Sequence, residues 1–214
     1  MQLSLILEPA KSPVLHGENG YYRKGGTITN ASMYYSYTRL NTKGTITLNG
    51  TRYEVTGQSW MDHEFGTDQL EKDMAGWDWF SLQFADNTEL MLYQLRKQDS
   101  TINLHTGGTF VGTAGKTEIL TSKDFTIGVL DHYTSQKTSG TKYPSKWKVR
   151  VPKLGIEATV TPLVQDQELA VASSSPISYW EGLSEVKGLK NGKPISGKGY
   201  VELTGYRKPI GNRF

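Results

Sequence analysis

The chain has 214 residues, of which 36% are apolar and 21% charged, with a net charge of +3 and no cysteine. That is too apolar a chain for disorder, and the missing cysteine removes disulfides, thiolate metal sites and a thiol nucleophile. No apolar run approaches the roughly eighteen residues of a spanning helix, so no transmembrane segment is expected.

The 23 glycines, 12 tyrosines and 5 tryptophans point to a β protein, with glycine at turns and aromatics on pleated surfaces. Residues 1–13 have no basic start and only a short apolar stretch, so they do not read as a signal peptide. Residues 45–48 and 51–55 flank Asn49-Gly50 and predict a hairpin, because both turn positions need positive φ.

The stretch 57–66 is the richest in chemistry. Alternate residues of an extended chain share a face, so Trp60, Asp62 and Glu64 point one way and Met61, His63 and Phe65 the other. Two carboxylates beside an aromatic wall can hold one carboxyl protonated at neutral pH, as a general acid requires. The same pair could instead pin a barrel rim by binding backbone amides or arginines. A metal set of Asp62, His63, Glu64 and Asp68 is disfavoured, since strand neighbours face opposite ways and the other histidines lack ligand spacing. No metal and no cofactor are expected. There is also no G-x-S-x-G elbow and no phosphate loop.

The loop 66–76 is acidic and helix-prone and marks the best candidate boundary, with 67–74 inviting a helical turn. The next hairpin runs from 77–84 through Asp86-Asn87 to 89–96. Its Trp77, Trp79, Ser81 and Gln83 form one face, and the partner strand adds Leu90, Leu92 and Gln94 on one side and Met91, Tyr93 and Leu95 on the other. Indole, hydroxyl and amide groups together suit a small-molecule pocket. Short strands follow at 109–111, 118–120, 125–130, 146–151 and 155–160, and 163–169 invites a second helical turn. Six cations and no acid lie between Lys137 and Lys153, which reads as a strand with a solvated lysine face rather than a nucleic-acid groove. The last hairpin spans 179–189, Asn191-Gly192 and 199–206. It places Tyr179 and Glu181 on one face, and Tyr200 and Glu202 likewise. Those residues either form an exposed face or line a polar barrel interior with Arg96 as charge partner.

Roughly twelve strands joined by short turns predict an all-β antiparallel barrel or sandwich. Residues 67–214 supply enough strands to close a barrel, whereas 1–66 supply too few and read as the remainder of a preceding one.

Four stretches carry a resemblance to a known family: 33–40 (Met-Tyr-Tyr-Ser-Tyr-Thr-Arg-Leu), 57–66, 76–96, and 179–182 with 199–206. In order along the chain, they resemble the C-terminal two thirds of the AttH-like family of predicted secreted hydrolases. That family also contains the carotenoid 1,2-hydratases (hydroxyneurosporene synthases). The resemblance implies two consecutive lipocalin-like (calycin) barrels and a secreted, periplasmic or lipoprotein address. It also implies a fragment or shortened member, completed by a preceding segment or by self-association.

For function, the resemblance implies a small hydrophobic ligand, isoprenoid or polyene in character, and acid-catalysed hydration or cyclisation of an alkene. Asp62 would be the general acid, Trp60 would stabilise a cation by its π face, and Glu64 would stand beside them. Tyr35, Trp77, Trp79, Tyr93, Arg96, Tyr179, Trp180 and Glu181 would bind the ligand. The hydratases' upstream His-x-Trp is missing, since Met33-Tyr34-Tyr35 contains neither residue. The alternatives are a non-catalytic carrier of the same ligand and an accessory protein of a membrane transporter.

Overall fold

The computed structural model describes residues 1–67, 70–138, 140–169 and 177–211. The first five strands are β1 (Gln2–Pro9), β2 (Val14–Leu15), β3 (Tyr21–Arg23), β4 (Ala31–Leu48) and β5 (Thr51–Phe65), and all are built on β4. One flank of β4 pairs with β5. The other is shared by β1 against 40–47, β2 against 35–36 and β3 against 31–33. Asn49 (φ 49°) and Gly50 (φ 83°) make the tight turn that joins β4 to β5, as expected.

The second sheet holds β6 (Met74–Phe84), β7 (Glu89–Lys97), β8 (Gly107–Val111), β9 (Thr117–Thr121), β10 (Thr126–Thr134) and β11 (Lys142–Val151). It continues through β12 (Ile156–Pro162), β13 (Glu168–Leu169), β14 (Tyr179–Lys190) and β15 (Lys193–Thr204). These strands form an antiparallel meander, with β13 set on the start of β14. Because β15 pairs back on β6, the sheet curls on itself, and its two ends are the sequence neighbours β9 and β10. Among the described residues no helix is long and apolar enough to cross a membrane.

Neither expected helical turn forms among the described residues. Asp68 and Gln69 lie outside them; from Leu70 the chain passes through a single tight turn, Met74 N donating to Glu71 O at 3.1 Å, into β6. Glu71 is taken by the Gly26 amide and the Asn103 side chain, so its carboxylate serves a tertiary contact. Residues 163–167 bend into β13, where the buried Glu168 accepts hydroxyls from Ser135, Thr138 and Tyr143. Buried hydrogen bonds to a carboxylate outweigh weak local helix propensity.

The period of two along β6 decides where a cavity can lie. Phe80, Leu82 and Phe84 point inside the curled sheet, against Trp147, Val149, Val160, Trp180 and Val201. That interior is filled by packed side chains. The Tyr/Glu face of the closing strands therefore does not line a barrel interior. The other face of β6 and β7, with Trp77, Trp79, Met91, Tyr93 and Leu95, packs toward Tyr22 and Tyr34 of the first sheet. The room for a ligand is between the sheets.

A buried ion cluster ties them together. Glu89 of β7 receives Lys11 Nζ at 2.7 Å and Arg39 Nε at 2.5 Å, and Arg39 also donates to Phe84 O at 3.0 Å.

Candidate functional site

The face of β5 that meets the second sheet carries Trp60, Asp62 and Glu64. What stands opposite is decided by a bulge in β4. On the turn side of the bulge, Leu40 pairs with Ser59; beyond Thr38 and Arg39 the register slips, so that Ser36 pairs with Asp62 and Tyr34 with Glu64. A one-residue slip exchanges the faces of a strand. Tyr34 and Ser36 thereby join the carboxylates, and Tyr35 and Tyr37 turn away. The bulge is held in place, because Arg39 is locked on Glu89 and Gln83 donates to Thr38 O at 2.8 Å.

Two cavities with shared lining residues result. The inner one, about 260 Å³, is lined by Lys24, Tyr34, Asp62, Glu64, Leu70, Trp77, Trp79, Tyr93, Tyr179 and Glu202. The outer one, about 680 Å³, is lined by Trp60, Ser81, Gln83, Glu181, Leu183, Lys198 and Tyr200 among others. Asp62, Trp79 and Glu202 line both.

Asp62 Oδ1 accepts from Tyr34 Oη at 2.9 Å, from Trp60 Nε1 at 2.9 Å and from Ser36 Oγ. Burial raises the Asp62 carboxyl above its usual range, while these three donors pull it back. Tyr34 Oη itself accepts from Trp79 Nε1 at 3.1 Å. Behind Ser36 lies His16, with Nε2 at 2.8 Å from Ser36 Oγ and Nδ1 at 2.9 Å from Thr109 Oγ1. Burial pushes this imidazole down to about 3, so it is neutral.

Glu202 of β15 accepts from Trp77 Nε1 at 2.6 Å. Burial first, and then the charges of Glu181, Asp62 and Glu64, push its carboxyl up to about 7. Glu64 is bound by Lys24 and by Ser32 Oγ at 2.5 Å. Burial lowers the Lys24 ammonium, whose Nζ stands 5.1 Å from the centre of the Tyr93 ring. The tryptophans wall this chamber, with Trp60 and Trp79 edge-to-face at 6.0 Å and Trp77 tilted on Tyr93 at 6.3 Å. Among the described residues no three histidines or carboxylates are arranged to hold a metal ion.

The structure thus brings together Trp60, Asp62, Glu64, Trp77, Trp79, Tyr93, Tyr179 and Glu181 around one cleft. It does not bring in three other residues proposed from sequence. Tyr35 lies on the opposite face of the first sheet, 2.9 Å from His63 Nδ1. Arg96 binds Asp78 at 2.9 Å and lies 3.9 Å over the Tyr206 ring, so its charge partner is Asp78 rather than Glu181. Trp180 sits in the packed interior beside Trp147, donating to Gln165 O at 2.8 Å. Sequence reasoning passed over His16, Lys24, Tyr34 and Ser36, and did not single out Glu202. Only Glu202 had a local signal, since the Asn191-Gly192 turn sets it directly opposite Glu181.

The AttH-like family profile matches residues 1–206. No match was found among curated proteins. A candidate AttH from Nitrosomonas europaea of known structure is similar at 35% identity and a TM-score of 0.85, over 95% of this chain and 61% of that one. Kievitone hydratase from Nectria haematococca is similar at 19% identity and a TM-score of 0.76, over 94% of this chain and 60% of that one. The chain therefore spans about three fifths of the length of both relatives. The second likeness is one of fold, and with the strand order it bears out the all-β, antiparallel, lipocalin-like architecture expected from the sequence.

Proposed function

The chain belongs to the AttH-like family, and from that premise we propose that its inter-sheet cleft binds a largely apolar alkene, isoprenoid or polyene in character, and adds a proton to it. Water capture gives hydration, and capture by a second double bond followed by loss of a proton from carbon to the carboxylate gives cyclisation. The observation that carries this reading is the carboxyl pair Asp62 and Glu202. The two come from different sheets, share both cavities, and one has its carboxyl near 7.

An alkene is a poor base, so its protonation needs an un-ionised acid close by, in a site that shelters the cation from bulk water. Protonation forms a C–H bond from the π pair and leaves a cation on the neighbouring carbon. Indole and phenol faces favour that charge, and Trp60, Trp79, Trp77 and Tyr34 surround the place where it would form. The second carboxylate then takes the proton that the attacking water must lose. Leu183, Tyr200 and Trp60 line the larger outer cavity, which suits an apolar tail.

The similarity to kievitone hydratase supports a fold able to host hydration, while the chemistry proposed here rests on this chain's own carboxyls. The second reading, a carrier without chemistry, draws on the size of the outer cavity alone. A panel of isoprenoid alkenes separates the two. Binding should quench tryptophan fluorescence, and wild-type protein should yield a product heavier by one water, or an isomeric cyclised product, that Asp62→Asn does not make. Quenching without product from any of them favours the carrier.

We also propose that the first sheet is the remainder of a preceding barrel. The exposed Leu3, Ile6 and Leu7 of β1 support this, with the outer edges of β1 and β5 unpaired among the described residues.

A further inference from the structure

We propose that the proton this site delivers sits on Glu202, and that Asp62 stays ionised as the base that receives a proton from water. The assignment rests on the reading of the cleft as a site of acid-catalysed addition. It reverses the roles implied by the family resemblance, in which Asp62 is the acid.

The donors around Asp62 have little freedom. The Trp60 indole can only donate, and it donates to Oδ1. The Trp79 indole can also only donate, and its hydrogen goes to Tyr34 Oη. The hydroxyl hydrogen of Tyr34 is thereby free to point at Oδ1. The third donor, Ser36, sits at the end of a chain. With the Thr109 hydroxyl on His16 Nδ1, the Nε2–H of the neutral ring points at Ser36 Oγ, whose own hydrogen turns to Asp62. Every member of this set is satisfied when Asp62 is a carboxylate. A proton on Oδ1 would be set against the Trp60 hydrogen and would require the Thr109–His16–Ser36 chain to reverse, so only Oδ2 is open to one, and a proton there would weaken Oδ1 as the acceptor of all three donors. Three donors on one carboxylate oxygen favour the ionised form and oppose the burial and the Glu64 charge that raise this carboxyl.

Glu202 stands differently. Among the described residues only the Trp77 indole donates to it. Glu181 is directly across the ladder from it on β14, and Asp62 and Glu64 face it from β5. The cation on this side, Lys24, is bound to Glu64 and also attracts the Glu202 charge. The phenols that face it, Tyr93, Tyr179 and Tyr200, are raised by burial and are neutral. One donor and three acidic neighbours leave Glu202 as the carboxyl that holds a proton into the neutral range, at about 7.

The chemistry balances on this pair. The Glu202 O–H proton passes to one alkene carbon, and the π electrons form the C–H bond. A water lone pair closes on the neighbouring cationic carbon, and a proton of that water moves to Asp62. Exchange with solvent returns the proton to Glu202, for a net addition of one water.

Infrared difference spectroscopy of the ligand-free protein, titrated from about pH 5 to about pH 9, tests the assignment without any substrate. The carbonyl band of an un-ionised carboxyl should vanish with a midpoint near 7. It should shift when glutamate carries carbon-13 in its carboxyl, stay put when aspartate does, disappear in Glu202→Gln and persist in Asp62→Asn. A band that follows the aspartate label, or that survives Glu202→Gln and is lost in Asp62→Asn, overturns it, as does the absence of any carboxyl band near neutrality. The labelling arm uses wild-type protein, so it holds even if a variant fails to fold. A correct Glu202 titration with no product from any alkene would instead count against the proposed function and leave the proton's location intact.

Discussion

Ser36 and Asp62 are direct partners across the β4–β5 ladder, and the Ser36 hydroxyl donates to the Asp62 carboxylate while facing His16 on its other side. This contact exists only because the bulge at Thr38 and Arg39 shifts the register by one. It links the first sheet, through His16 and Thr109, to β8 of the second. Asp62 is therefore positioned by both sheets at once.

Neutral His16 should make the fold sensitive to acid. Its imidazole is held at about 3 when folded, against an ordinary value of 6.5, so the unfolded chain binds more protons between those two values. Stability should be fully present above about pH 6.5 and fall as pH is lowered toward 3, by several kcal/mol in total. Urea unfolding of wild type and His16→Gln across this range should show one fewer proton taken up on unfolding by the variant. Equal slopes would mean that His16 is charged in the folded protein.

Glu202 should act with the opposite sign. Its folded carboxyl near 7 lies above the unfolded value of 4.5, so the folded chain binds the extra proton between them. Its contribution is present below about pH 4.5 and is lost as pH rises through 7, on the order of 3 kcal/mol. Relative to Glu202→Gln, wild type should weaken over that interval. A difference that does not change with pH would contradict the shift.

Removing the buried anion between the sheets should be severe. In Glu89→Ala, Lys11 and Arg39 lose their common partner while largely buried, which costs about 3–5 kcal/mol. Chemical denaturation should show the loss, and the site should suffer with it, since Arg39 is half of the bulge. A loss under about 1 kcal/mol would mean that both cations reach solvent without penalty.

The outer cavity can be tested by filling it. Leu183 lines it and is 45% exposed, so Leu183→Trp should narrow the cavity while changing stability by no more than about 0.5 kcal/mol. Farnesol, followed by quenching of tryptophan fluorescence, should bind several-fold more weakly than to wild type. Unchanged affinity at unchanged stability would place the tail elsewhere.

Much of this arrangement is legible in the residues themselves. The two Asn-Gly turns set two hairpins, and the alternation along β6 separates Trp77 and Trp79 from Phe80 and Leu82. The same alternation places Trp180 on the opposite face from Tyr179 and Glu181, so those three cannot share one pocket. What could not be read was the bulge. Counting back from Asn49-Gly50 without it pairs Tyr35 with Glu64, whereas the slip puts Tyr34 there and sends Tyr35 to the exposed face. Nor does local pattern say which face of a strand with aromatics on both sides turns inward. His16 and Lys24 reach the site from or just after very short strands, too brief for any periodicity to mark them.

The most direct measurement is product analysis in heavy-isotope water. An isoprenoid alkene that quenches the protein's tryptophan fluorescence is incubated in deuterated, oxygen-18 water. A carboxyl pair that protonates and then hydrates predicts a product with deuterium on carbon and oxygen-18 on the neighbouring carbon, both lost in Asp62→Asn and in Glu202→Gln although quenching remains. Undiminished labelled product from both variants, or tight binding by wild type with no label incorporated, would contradict it.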